Sequence, residues 1–221
     1  MKTTKLMAIA ACALACAAAT ADTVKPAAPV NPKPGMIFSA YGAYTWMTDN
    51  KNDKIQAGLK ECFSFLPKLP AVKTGVDKSE KFTIDCAKGV ATAAIRWEGF
   101  LPCNADRTYT FLVQKNTTRS RYENWQCGYA VAINGKVCCA AFGQTSFDVD
   151  LKNGFNKVEI VTLLPDGYGF EEVRNSPLLL FAKRKESLKE PMKLDPGMFF
   201  YDEPVDDEED DFKPKTLPKT S

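Results

Sequence analysis

The feature that most restricts this chain is the stretch Ile133-Asn134-Gly135-Lys136, which sets an Asn-Gly pair between two short apolar runs. Asn-Gly is the commonest way to supply the two positive φ angles of a two-residue hairpin turn, so the flanking runs must be antiparallel neighbours. A second pair, Asn153-Gly154, ends one alternating stretch and leads through Phe155 into another. Side chains along a strand point to opposite faces in turn. Tyr109, Phe111 and Val113, then Tyr129, Val131 and Ile133, then Phe147, Val149 and Leu151 keep that period and define a buried face. Similar stretches, bounded by Gly, Pro, Asn and Asp, predict strands over 36–44, 81–85, 90–100, 108–114, 129–133, 136–140, 145–151, 157–163 and 177–182. No long amphipathic helix is evident. Short strands joined by hairpins are expected to pack as two sheets, so the fold class is all-β, an antiparallel sandwich.

The chain has 221 residues, of which 45% are hydrophobic and 25% charged, the usage of one ordinary globular domain with appendages. Residues 1–21 read as a secretory signal peptide. Lys2 and Lys5 precede an apolar run from Leu6 to Ala19, and Ala19-Thr20-Ala21 is a small-x-small cleavage site. The mature chain is expected to begin at Asp22 and to be secreted, periplasmic or held at the cell surface. A rival reading takes Ile9-Ala10-Ala11-Cys12 as a lipobox with Cys12 acylated, although the apolar core before Cys12 would be very short. No later stretch approaches the roughly 20 apolar residues of a transmembrane helix. Residues 22–34 form a Pro/Ala-rich linker, 35–182 the domain, and 183–221 a charged, mostly disordered tail that holds eight acids between 202 and 211. Within that tail Met198-Phe199-Phe200-Tyr201 is expected to dock on the domain as a last strand.

Histidine is absent, which excludes Ser-His-Asp and Cys-His nucleophile pairs and imidazole metal sites. Lys plus Arg number 29 and Asp plus Glu 27, with no dense basic stripe, so the footprint of a nucleic-acid binder is missing. Beyond the signal peptide six cysteines remain: Cys62, Cys86, Cys103, Cys127, Cys138 and Cys139. An even count in an exported chain predicts disulfides, here three, with Cys62 to Cys86 the most local. Zinc would need a C-x-x-C knuckle or histidines, and the sequence has neither. Cys138 and Cys139 are adjacent on a predicted strand, so they should face opposite ways and seek different partners.

Taken in order, several segments resemble a known family. They are Gly35-Met36-Ile37 with Tyr41, Ala94-Ile95-Arg96-Trp97-Glu98-Gly99-Phe100-Leu101-Pro102, Tyr109-Thr110-Phe111, and Gly128-Tyr129-Ala130-Val131-Ala132-Ile133-Asn134-Gly135-Lys136. The last is Leu151-Lys152-Asn153-Gly154-Phe155-Asn156-Lys157-Val158-Glu159-Ile160. Across residues 35–182 this order is similar to that of the protective-antigen-type domain, PA14. The resemblance implies a β-sandwich or distorted barrel of the kind found in bacterial toxins, glycosidases, yeast adhesins and surface proteins, commonly a carbohydrate-binding or interaction module. Its calcium-dependent lectin members carry two consecutive aspartates just before the apolar hairpin strand. Gln126 and Cys127 stand there in this chain, so no metal and no other cofactor is expected at that position.

Candidate ligand-binding residues cluster in two connections. Arg119, Arg121, Tyr122, Asn124 and Trp125 fall between 115 and 126, and Tyr168 and Phe170 fall between 165 and 171. An aromatic face stacks on a pyranose while Arg and Asn bond its hydroxyls. The competing reading folds Tyr122 and Trp125 back as a cap, with Cys127 stapling the loop. Glu98, Asp148 and Asp150 are the carboxylates a glycosidase would need, but Asp148 and Asp150 read as a solvated strand face and Arg96 as an ion-pair partner. The expected function is non-enzymatic recognition, with no catalytic residues, of a glycan or else, for a structural or assembly protein of the envelope, of another protein. Asn116-Thr117-Thr118 fits a glycosylation sequon, read as accidental beside a bacterial-type signal.

Overall fold

The computed structural model describes residues 28–42, 54–115, 128–164 and 171–203. In chain order these form β1 (Pro32–Pro34), β2 (Met36–Tyr41), helix α1 (Lys54–Phe65), β3 (Lys73–Asp77), β4 (Ala94–Cys103), β5 (Arg107–Gln114) and β6 (Tyr129–Ile133). There follow β7 (Lys136–Ala141), β8 (Gln144–Leu151), β9 (Gly154–Leu163), α2 (Glu171–Asn175), β10 (Leu179–Arg184), β11 (Met192–Leu194) and β12 (Phe200–Asp202). One sheet runs β1-β12-β4-β9-β6-β7, with β2 also paired to β4 and β3 to β2; the other runs β11-β10-β5-β8. All strand pairs are antiparallel. Among the described residues no helix is long and apolar enough to cross a membrane.

The alternation read from the sequence sets the core. Phe111, Val113, Tyr129, Val131, Ile133 and Leu151 are buried between the sheets, and Tyr109, Phe147 and Val149 pack against that cluster half-buried. Phe111 and Phe147, partners in the β5–β8 register, stack with ring centroids 5.6 Å apart. Trp97, Phe82 and Phe199 add two edge-to-face contacts to the same core. The turn at 133–136 forms as expected, with φ of 51° at Asn134 and 77° at Gly135. At 153–154 only Gly154 takes a positive φ, 99°.

Several expectations are corrected. Residues 81–85 are not a strand: Phe82 makes one bridge to Leu178, and Ile84–Ala87 is a 3₁₀ turn. The Thr83 hydroxyl accepts the Asp85 N–H at 3.3 Å, a local bond that competes with strand pairing. Helix α1 does exist. Leu59, Cys62 and Leu66, spaced three and four apart, form a second cluster with Tyr41, Ala94, Ala130, Val161 and Leu163 on the outer face of the larger sheet. β1, β11 and β12 extend the sheets past both edges of the 35–182 stretch, and the aromatic island docks, with Phe199 and Tyr201 buried.

Among the described residues none of the expected bridges is formed. Cys62, Cys86, Cys103, Cys138 and Cys139 are free thiols, none at disulfide distance from another, while Cys127 lies outside the described residues. Cys62 lies on the sheet-facing side of α1 and Cys86 packs against the core between the sheets, so the larger sheet separates them. Cys138 and Cys139 do not face opposite ways as alternation would require. The register jumps from Val131↔Cys139 to Ala132↔Val137, which makes Cys138 the extra residue of a β-bulge and turns both cysteines to the inter-sheet core. Burial pushes the thiols of Cys62, Cys86 and Cys139 up to about 12.

Candidate functional site

The register brings one set of strand ends together. Tyr41 pairs with Ala94 and Ala94 with Leu163, while Gly128 O accepts the Leu163 N–H at 2.9 Å. Lys115 N–H donates to Gly143 O at 3.2 Å, which adds the end of β5 and the β7–β8 turn to the same end of the sandwich. The connections 116–127 and 165–170 leave the described structure and rejoin it at this end, and 43–53 leaves it here. Arg119, Arg121, Tyr122, Asn124 and Trp125 belong to the first and Tyr168 and Phe170 to the second, and all seven lie outside the described residues, as do Gln126 and Cys127. The strand ends that flank both groups are therefore neighbours although the groups are about 40 residues apart in sequence.

This end is braced by two cations. Lys115 is only 6% exposed, and its ammonium donates to Ser176 O at 2.8 Å and to Ser176 Oγ at 3.5 Å. Arg174, on α2, donates to Leu164 O at 3.0 Å and to Thr92 O, and so ties the end of β9 and the approach to β4 to one guanidinium. The Tyr129 hydroxyl donates to Gly143 O at 2.9 Å, and burial raises that phenol above its ordinary range. Such bonds hold the strand ends in a fixed arrangement, which is what a binding loop needs from its scaffold.

Sequence reasoning missed one residue here. Phe142, in the β7–β8 turn, is 37% exposed, and its ring closes with Leu59 over Gly128. A Cβ on Gly128 would stand 2.7 Å from both Leu59 Cδ1 and Phe142 Cε1, so a larger residue there would push these two side chains apart. The available signal was a large aromatic in a tight turn beside Gly143.

The carboxylates singled out from sequence lie elsewhere. Glu98 and Glu159 are direct cross-strand partners on the outer face of the larger sheet, and the Arg96 guanidinium binds both. Lys157 Nζ lies 3.5 Å from Glu98 and 3.9 Å from Glu159. Arg96 is thus the ion-pair partner expected. Asp148 and Asp150 are exposed on β8, also as expected.

An eight-stranded and a four-stranded antiparallel sheet around one core define a β-sandwich, with one helix packed on its outer face. The chain has the PA14 fold. The PA14 domain of the antifreeze protein MpAFP matches at a TM-score of 0.50 with 10% identity, over 80% of this chain and 95% of that one. An anti-sigma factor domain-containing protein matches at 0.48 with 16% identity over 81% of this chain, which spans about half (51%) of that protein's length. The A domain of epithelial adhesin 6 from Candida glabrata, in complex with Galb1-3GlcNAc, matches at 0.48 with 12% identity, over 78% and 88% of the two chains. These two add nothing to the fold assignment. No family model and no curated protein matches the sequence.

Proposed function

We propose that this protein is a non-enzymatic recognition module that binds a glycan at the loop-bearing end of its sandwich, outside the cytoplasm, after removal of residues 1–21. The observation that carries the reading is the convergence at one end of the strands flanking 116–127 and 165–170, braced by Lys115 and Arg174, beside the exposed ring of Phe142. Arg119, Arg121 and Asn124 supply bidentate donors and acceptors for hydroxyls, and Tyr122, Trp125, Tyr168 and Phe170 supply ring faces. The opposed reading, an envelope protein that binds another protein, draws on the edge strand β3, whose neighbour Val72 and own Val76 are 48% and 40% exposed.

A glycan array probed with the mature chain from Asp22 separates the two readings. Selective glycan signals support the first; silence on every glycan with a robust protein pull-down supports the second. Trp125→Ala should weaken the glycan signal about tenfold and leave the melting temperature unchanged. Arg174→Leu should cost about 1–3 kcal/mol of stability, because Leu164 O and Thr92 O lose a charged donor, and should weaken binding as well. Binding should survive EDTA, since Gln126 and Cys127 offer no hard anionic oxygens, and full loss of signal in EDTA would refute a calcium-independent site.

A further inference from the structure

The opposite end of the sandwich holds a second concavity. β6 runs from the loop-bearing end to the Asn134-Gly135 turn, and β9 starts beside that turn at Gly154 and runs back. There the edge strands β7 of one sheet and β8 of the other border a cavity of about 540 Å³, a size that takes a sugar unit. Ile133, Val137 and Val149 give it apolar wall, and the bulged Cys138 forms part of its lining.

Its polar groups are oriented in advance. Asp148 and Asp150, two residues apart on β8, point to one face. From the neighbouring strand, Thr108 Oγ1 donates to Asp150 Oδ1 at 2.6 Å and Thr110 Oγ1 to Asp148 Oδ1 at 2.7 Å. Lys185 Nζ takes the remaining oxygen of Asp148 at 2.7 Å, and this ammonium, with the Thr110 hydroxyl, holds Asp148 below the ordinary carboxylate range. Both oxygens of Asp148 are thereby engaged. Asp150 Oδ2 and the Lys136 ammonium are left without a bonded protein partner among the described residues, one an acceptor and the other a donor.

That combination selects a ligand class. A metal ion is disfavoured, because Lys185 occupies Asp148 and the described residues contain no group of three metal-ligating side chains. Lys185 is paired with Asp148 and the third lysine of the lining, Lys152, with Asp106, so among the described residues an anion would meet one free ammonium, Lys136, with the Asp150 carboxylate beside it. A hydroxyl both donates and accepts, so a neutral polyol can satisfy Asp150 and Lys136 together. We infer that this cavity is a second binding site, for a neutral polyhydroxylated unit of about hexose size, with Asp150 Oδ2 accepting from its hydroxyls and Lys136 donating to them. The site is independent of the loop-bearing end, and either can fail alone.

Amide ¹H–¹⁵N spectra of the mature chain, titrated with maltose, cellobiose and lactose and separately with sodium sulfate, test it. The expected result is saturable shifts at Asn134, Lys136, Asp148 and Asp150 with at least one disaccharide. Asp150→Asn and Lys136→Met should each weaken the affinity about tenfold while the rest of the spectrum stays native. Thr108→Val should weaken it by a smaller factor, because Asp150 loses the hydroxyl that orients it. Shifts confined to Gly128 and Phe142 would overturn the site and leave the glycan reading of the other end intact. Sulfate shifting Lys136 more than any sugar does, or no shift up to about 50 mM sugar, would overturn it too.

Discussion

Replacing Trp97 by alanine is expected to lower the folding free energy by about 3–5 kcal/mol, a large part of a small domain's stability. The indole is fully buried between the sheets and meets Phe82 edge to face with centroids 5.5 Å apart. Its N–H donates to Asp77 Oδ2 at 2.9 Å, and Asp77 is itself only 5% exposed. The other carboxylate oxygen keeps the Ser79 N–H at 2.9 Å, so truncation opens a cavity and also leaves half of a buried carboxylate unsatisfied. Trp97→Phe retains most of the volume and removes the donor, for about 1–3 kcal/mol. Urea unfolding of both variants, with unchanged m-values, measures the two parts. A Trp97→Phe variant as stable as the parent would show that the Asp77 bond contributes nothing.

The second large effect is alkaline. Burial raises the thiols of Cys62 and Cys139 from 9.0 to about 12, with a smaller push on Cys62 from Glu61. A thiol is neutral when protonated, so a raised value means that the folded state resists ionisation and the unfolded chain does not. Stability from these groups is whole below pH 9 and drains away as pH rises from 9 to 12. Each pH unit in that window removes about 1.4 kcal/mol per thiol, or nearly 3 kcal/mol for the pair. Guanidinium unfolding at pH 8, 9.5 and 10.5 checks the slope. A Cys62→Ala, Cys139→Ala double variant should show a flatter dependence, and an unaltered slope in it would assign the alkaline loss to other groups. Thiol labelling should be slow in the folded protein and complete at these two positions after unfolding.

Where one local cause dominates, the structure could be read directly from the chain. The turn at Asn134-Gly135 demands two positive φ angles, and only such a pair supplies them cheaply; β6, predicted over 129–133, spans Tyr129–Ile133. β3 was hidden because Gly75 breaks its pattern. That glycine answers a tertiary demand, since a Cβ there would stand 2.8 Å from Phe38 Cε1 on the adjoining strand. Helix α1 was hidden for a similar reason: Leu59, Cys62 and Leu66 form a short stripe among Lys60, Glu61 and Ser64, and its meaning depends on the sheet beneath it. The cysteine reading failed because parity in a count says nothing of distance. The bulge at Cys138 could not be foreseen, since alternation carries no mark of where one residue is inserted. Of the loop-bearing end, the aromatic and arginine content was legible, whereas the bracing by Lys115 and Arg174 joins residues about 60 and 80 positions apart.

The pairing of β1 with β12 has a mechanical consequence. Pro32 lies opposite Asp202, and the amides of Val30 and Asn31 both reach Asp202 Oδ1, at 3.1 and 2.9 Å, so the incoming and outgoing chain lie side by side. Tension applied between them would load this clasp one bond at a time, as in a zipper, rather than all bonds at once in shear. The clasp is sparse, because Pro32 and Pro34 have no N–H to donate, and beyond it β12 meets β4 at the single pair Phe200↔Phe100. It should therefore part at low load, while the long β4–β9 ladder, ten residues on each side, keeps the loop-bearing end intact.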